Sequence, residues 1–529
     1  MKLLGYPSNE GGVCYGITYM GLQAIIAQDL ETFDARIDMI NAIDEYFEKY
    51  SNKKKEIQNS KDSLYKTLNI ILNYLQNEKI TIQNKQIFNE IPAFFEGIEL
   101  YFHPDLYPDL FEENKPKIQH QSELVMPLTS SKALEKEEIK GIEQAPYVFS
   151  GVYTKEELKD YFKSLQEVIK KTNFTEPIAL VLESSDHAIS VGYDSKAEKW
   201  FLIDPNILPT KYNLDNNEIA QKVLAAFTTN NTTTFATKMY AASLHQEKLK
   251  KVNEAWQKHE TWQTLHKISS EKIKRVDSHG AGWLYVAAKM GLLEEVTNLL
   301  KETDIDPNLS RTMTGISPLF IAAFLGHLEV VKSLLAHPDI KLDMLTKKGN
   351  SCVDIARSNN QHDVVIVLER AIRIRQLLNT EKNTNSPRYQ ALQLYYQKCL
   401  AANNEDAEQI EKNFRIIEAC HNIQINYKSE DNEQIQKALN LINECVTTAY
   451  QEYTKGTNLN EIIENLQDTI SNIAKYIKYV NDHHEKNIFK QASQYFFKTT
   501  PTESRLYTMI QKIPFPKEIE LQDIKNLKF

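Results

Sequence analysis

The chain of 529 residues has few cysteines, no long apolar run and no excess of basic charge. Its five cysteines stand singly, in no CxxC pair, which argues against a disulfide framework and fits a reducing compartment. Lysine and arginine total 62 against 71 aspartates and glutamates, so nucleic-acid phosphate is not expected as a direct partner. No stretch approaches the ~20 apolar residues of a membrane span, and residues 1–8 lack a signal-peptide core. The expectation is a protein that neither crosses a membrane nor leaves by the Sec route. His259 and His266 share a helical face without Cys or carboxylate companions at ligand spacing, so neither a metal nor another cofactor is expected.

What is present starts with Asn9-Glu10-Gly11-Gly12-Val13-Cys14-Tyr15-Gly16-Ile17-Thr18-Tyr19-Met20. The glycine pair permits a sharp turn before a helix predicted over 13–27, with Ile17, Met20, Ala24 and Ile25 as its apolar stripe. Cys14 then lies in the first turn. Unpaired N–H groups and the positive end of the helix dipole favour a thiolate there, the nucleophilic form.

A base is offered by Asp186-His187-Ala188-Ile189-Ser190-Val191-Gly192-Tyr193, followed by Trp200-Phe201-Leu202-Ile203-Asp204-Pro205-Asn206. Residues 187–193 and 198–204 read as two strands of a hairpin turning at 194–197. A loop of two or four residues pairs Tyr193 with Glu198 and His187 with Asp204, whereas three residues would put Pro205 opposite His187. In the first register Asp204 accepts a hydrogen bond from one imidazole nitrogen and leaves the other for the thiol.

These residues resemble the papain-like cysteine proteases of the YopT and AvrPphB type, over roughly 1–245. The resemblance implies a Cys14, His187, Asp204 triad, with Asn9 and the Cys14 backbone N–H forming the oxyanion hole. Around the motifs, helices are predicted at about 32–90, with a charged connector at 51–56. A proline-spaced segment covers 102–143, a capping box at Thr154 opens a helix ending near Lys171, and strands are expected at 178–183 and 231–240 with a helix at 216–227. Residues 246–279 read as a helical bridge.

Residues 280–370 repeat at a spacing of 34–35: Ala287-Ala288 recurs as Ala322-Ala323 and Ile355-Ala356, and Gly291-Leu292 as Gly326-His327. With Gly315-Ile316-Ser317-Pro318-Leu319 this resembles ankyrin repeats, whose period is about 33. About three are expected over 280–375. Their tips carry Arg311, Met313, Lys347 and Lys348, cationic and apolar positions expected to meet an acidic patch on a partner protein. Residues 376–529 read as a helical bundle. The tail, Pro516 onward and ending in Phe529, is similar to the secretion signals of type IV (Dot/Icm) effectors, which implies delivery to the cytosol or nucleus of a host cell.

The expected fold class is multidomain, α+β followed by α: papain-like domain, ankyrin solenoid, helical bundle. Two functions stay open. One is a thiol acyl-transfer enzyme, a protease, deamidase, transglutaminase-like enzyme or deubiquitinase, aimed at a host protein by the repeats. The other is a non-catalytic ankyrin adaptor that keeps a protease-like body.

Overall fold

The computed structural model describes residues 13–49, 70, 71, 73, 82–102, 141–426 and 433–470. Asn9, the connector at 51–56, nearly all of the proline-spaced segment and the tail lie outside the described residues, as does most of the helix read over 64–75. The chain divides into two compact units, Met1–Val364 and Val365–Phe529.

The first unit opens with helices α1 (Cys14–Ile26), α2 (Leu30–Lys49) and α3 (Ile82–Phe102). Strands β1 (Ile142–Gln144) and β2 (Phe149–Thr154) follow, then α4 (Lys155–Lys171). Thr154 and Glu157 cap α4 reciprocally, side chain to backbone, at 3.3 and 2.8 Å, as its sequence requires. Next come β3 (Ile178–Glu183), β4 (Ala188–Asp194), β5 (Lys199–Ile203), β6 (Lys211–Leu214), α5 (Asn216–Phe227), β7 (Thr232–Ala242) and α6 (Gln246–Gln257). All seven strands form one antiparallel sheet in the order β1-β7-β3-β4-β5-β6. β7 is long enough to take β2 along its first part and β1 along its last, on the edge opposite β3.

Side chains alternate across β3 between two cores. Ile178, Leu180 and Leu182 join the α4, α5 and α6 side, while Ala179 and Val181 meet α1 and α3. Burial on both faces explains the unbroken apolar run. α1 is likewise covered nearly all round. Tyr15, Tyr19, Leu22, Ile25 and Ile26 are among its buried positions, so of the expected stripe Ile25 is buried and Ile17, Met20 and Ala24 are only partly so. The stripe fails because α1 lies between the sheet and α3, and such a helix needs no polar face.

Two glycines permit that sandwich. A methyl on Gly16 would sit 2.7 Å from the carbonyl oxygen of Ile98, and one on Gly21 2.8 Å from the Ile203 side chain. Alanine gains about 1 kcal/mol of helix propensity over glycine, against roughly 1–3 kcal/mol for overpacking. Backbone cannot swing aside, so Gly16→Ala is expected to lower the urea midpoint and Gly21→Ala to do so less. Equal stability of Gly16→Ala and wild type would contradict this packing.

The bridge is not one helix. After α6 the chain breaks into short helices Glu260–Leu265 and Ser270–Ile273. His259 caps the first of these by accepting from Thr261 N, and His266 bonds Tyr153 Oη at 2.7 Å and Trp262 O at 2.8 Å. The two imidazoles thus stand at the N-cap and C-cap of one short helix. Two helix pairs follow, α7 (Trp283–Lys289) with α8 (Leu293–Leu299) and α9 (Pro318–Leu325) with α10 (Leu328–Ala336), and after them come α11 (Cys352–Ser358) and α12 (His362–Thr380). The alanines at 287, 288, 322, 323 and 356 are fully buried where the helices meet. Successive tips are joined by Thr312 N to His279 O and Lys347 N to Thr314 O, each 2.9 Å. The first pair packs on the sheet through Ala236, Ala281, Tyr285 and Val286, and Glu295 accepts from Ser150 and from the Trp283 indole.

The second unit, which begins within α12, holds α13 (Pro387–Ala401), α14 (Asn404–Asn426) and α15 (Glu433–Lys455). Cys399 and Cys420 are buried among them, and Arg388 pairs with Glu418 at 2.7 Å. Leu441 on α15 is 45% exposed.

Candidate active site

Cys14 is the first residue of α1, behind Val13, which supplies no side-chain cap. One turn on, Thr18 Oγ1 donates to Ala188 O at 2.7 Å and Ser190 Oγ donates to Thr18 O at 2.5 Å, which ties α1 to β4. Tyr19 Oη donates to Glu183 Oε1 at 3.1 Å, and the buried Lys238 ammonium donates to that oxygen at 2.9 Å. These bonds fix α1 lengthwise, and the residue brought level with Cys14 is His187, just ahead of β4.

The hairpin register differs from expectation. Tyr193 pairs with Trp200 and Asp194 with Lys199, so neither Tyr193–Glu198 nor His187–Asp204 is a ladder pair. The reason is local: the Asp194 carboxylate accepts from Lys196 N and Ala197 N, and Glu198 takes a φ of 55°, so the turn occupies 195–198. The slip is by two positions, which keeps every side chain on its own face. His187 and Asp204 consequently still meet, diagonally, with Nε2 donating to Asp204 Oδ1 at 2.8 Å. Asp204 is buried and its Oδ1 also accepts from Asn206 N at 2.9 Å. The Asn206 side-chain amide lies 3.3 Å from the same Nε2 and shields that bond. With Nε2 engaged, Nδ1 is the ring nitrogen left for the thiol.

Electrostatics follow from this placement. Burial alone pushes the Cys14 thiol up. The hydrogen bond and charge of His187, a backbone hydrogen bond at Ala188 and the Lys289 ammonium outweigh it and leave the thiol below its ordinary value. For His187, burial disfavours the cation, but hydrogen bonds and charge from Asp204 and Cys14 raise it to about 9. Burial drives the other thiols the opposite way, Cys352, Cys399 and Cys420 to about 12 and Cys445 upward.

A cleft of about 460 Å³ opens on the pair, walled by Val13, Ile17, Phe227 and Pro205 and edged by His279 and Asp186. A larger cavity of about 970 Å³ lies by Asp34 and Tyr212 and contains neither thiol nor imidazole. Among the described residues no cluster of His, Cys, Asp or Glu could hold a metal ion, and no helix is long and apolar enough to cross a membrane.

The expected partner-binding tips separate. Lys347 and Lys348 are exposed, and Met313 is 73% exposed. Arg311 is not a free tip: its side chain is 12% exposed and donates to Asp186 Oδ2 at 2.7 Å. Arg311 faces the sheet domain, where Met313, Lys347 and Lys348 face solvent. Asn206, Asp186 and Lys289 were not singled out from sequence as site residues. Asp-Pro-Asn carried a signal for Asn206, and nothing local marks Lys289.

Residues 276–387 match the family model described as ankyrin repeats, in three copies, a module of protein–protein interaction. No curated protein matches the chain.

Proposed function

We propose that the sheet domain is a thiol acyl-transfer enzyme of papain-like kind, in its simplest form a cysteine protease, and that the repeats bring it a protein substrate. The observation that carries this reading is Cys14 at a helix start beside a His187 whose Nε2 is held 2.8 Å from buried Asp204. The thiolate attacks the substrate carbonyl carbon, forming a C–S bond. The Cys14 N–H, with Asn9 as the resemblance implies, receives the oxyanion. The imidazolium passes its proton to the leaving amine as the C–N bond breaks. Water then attacks the thioester, gives a proton back to His187, and the carboxylate product leaves a free thiolate.

Cleavage, deamidation and transfer differ in leaving group and acceptor. Comparing new protein N-termini and Gln-to-Glu conversions in a lysate treated with wild type or Cys14→Ala separates them. Cys14-dependent new termini identify a protease. A partner that binds equally to both proteins, with no chemical change, favours the adaptor reading supported by the ankyrin match. The tail's likeness to type IV effector signals makes a host protein the proposed partner.

Lys347 and Lys348 carry the expected association surface. Lys347→Ala with Lys348→Ala is expected to slow association with an acidic partner and to flatten its dependence on salt. Association rates measured across ionic strengths check this, and rates unchanged by the substitutions would move the partner site elsewhere.

A further inference from the structure

The loop carrying His187, between β3 and β4, is gripped from outside the sheet domain. Lys289 Nζ, buried at the end of α7, donates to Ser184 O at 2.7 Å and lies 3.5 Å from Ser185 O. Arg311 Nη2 donates to Asp186 Oδ2 at 2.7 Å, with His279 Nδ1 3.4 Å from that oxygen. Ser185 Oγ donates to Asp277 Oδ2 at 3.5 Å. All four outside partners fall within the ankyrin match. Inside the loop, Ser184 N donates to His187 O at 2.9 Å.

We propose that the start of the ankyrin stack is a built-in part of the thiol site, in which Lys289 of the first repeat and Arg311 at the tip opening the second are positioning residues that hold the Ser184–Asp186 loop and so keep His187 turned to Cys14. This rests on the reading of Cys14, His187 and Asp204 as a catalytic group. A repeat needs no ammonium inside its stack, and burying one is costly unless acceptors meet it. Here two loop carbonyls do, and the charge also faces the thiol. Arg311 sits in a turn closed by Gly315 N to Arg311 O at 2.8 Å, and the same turn exposes Met313. A partner landing on Met313 therefore bears on the turn that holds Asp186. The repeats then tune the thiol as well as recruit substrate.

Charged and titratable groups around Cys14 are His187 and Asp186 from the loop, Asp204 behind the imidazole, and His279 and Lys289 from the repeat segment. Glu183 on β3 and Lys238 on β7 act through Lys289. The test is the pH–rate profile of Cys14 alkylation by iodoacetamide in the full chain, with site mapping by mass spectrometry. Lys289→Met is expected to move the acid limb toward the free-thiol value and to cut the rate at pH 6.5 about 3–10-fold, since each pKa unit is tenfold in thiolate. At pH 10 the rate is expected to match wild type, and Lys289→Arg should restore the profile. Asp186→Asn, at a partly exposed side chain, should slow alkylation in the same direction and decides the matter where Lys289→Met does not fold. Folded variants with wild-type profiles overturn the inference alone. A wild-type Cys14 that titrates as a free cysteine overturns it together with the catalytic reading.

Discussion

Treated with limiting iodoacetamide at pH 7, the protein is expected to carry the label on Cys14 and almost nowhere else. The thiolate is the reacting species. Thiols held at about 12, as at Cys352, Cys399 and Cys420, are ionised at pH 7 in roughly one part in 10⁵. Cys14 lies on the other side of the free-thiol value because the imidazolium beside it outweighs its burial. Removing that charge leaves burial opposed only by the Ala188 backbone hydrogen bond and the Lys289 ammonium. His187→Ala should therefore slow Cys14 alkylation at pH 7 by about tenfold or more, with the deficit shrinking as rising pH ionises the thiol. Label spread evenly over Cys14 and Cys445 would remove the basis for calling Cys14 a nucleophile.

The second large effect concerns turnover and its pH dependence. Acyl transfer needs the Cys14 thiolate and a protonated His187 together. A lowered thiol supplies the first once pH rises past that value, below the ordinary thiol range. A His187 raised to about 9 keeps its proton through neutral pH and loses it as pH climbs through 9. The proposed activity is thus expected to follow a bell with its alkaline limb near 9. Asp204→Asn removes the carboxylate charge that holds the imidazolium and weakens the bond that orients Nε2. It is expected to pull the alkaline limb down in pH and to reduce turnover by about 10²–10⁴, the usual reach of acid–base assistance. A profile that keeps its alkaline limb in Asp204→Asn would assign the raised value to some other neighbour.

Much of this arrangement is legible locally. Cys14 after Gly-Gly-Val marks a helix start by the turn the glycines permit, and Thr154 with Glu157 marks another by a capping box, since both signals lie in adjacent residues. His187 and Asp204 are readable as strand-edge residues on one face. Their register is not, since it turns on the Asp194 carboxylate folding back on Lys196 and Ala197 and on a left-handed Glu198. β2 is hidden in the sequence because Phe149-Ser-Gly-Val-Tyr-Thr interrupts its pattern with small residues, and β6 because Lys211–Leu214 is only four residues long, follows Pro209 closely and buries only Leu214. The stripe on α1 was misplaced because burial from two sides erases periodicity. Arg311 reads as a solvent-facing tip within the repeats alone, and only the long-range packing of the first repeat on the sheet turns it toward Asp186. Lys289 reaches Ser184 across more than a hundred residues of sequence, a contact no local pattern encodes.

The central claim, that Cys14 is an acyl-accepting nucleophile with His187 as its proton partner, is tested most directly by intact-mass measurement after mixing the protein with an activated acyl ester at neutral pH. The expected result is a single acyl adduct mapped to Cys14. It should form in a burst and decay as water takes the acyl group, be absent in Cys14→Ala, and be slow to form and to clear in His187→Ala. An adduct that never forms on Cys14, or forms equally well without His187, would contradict the account.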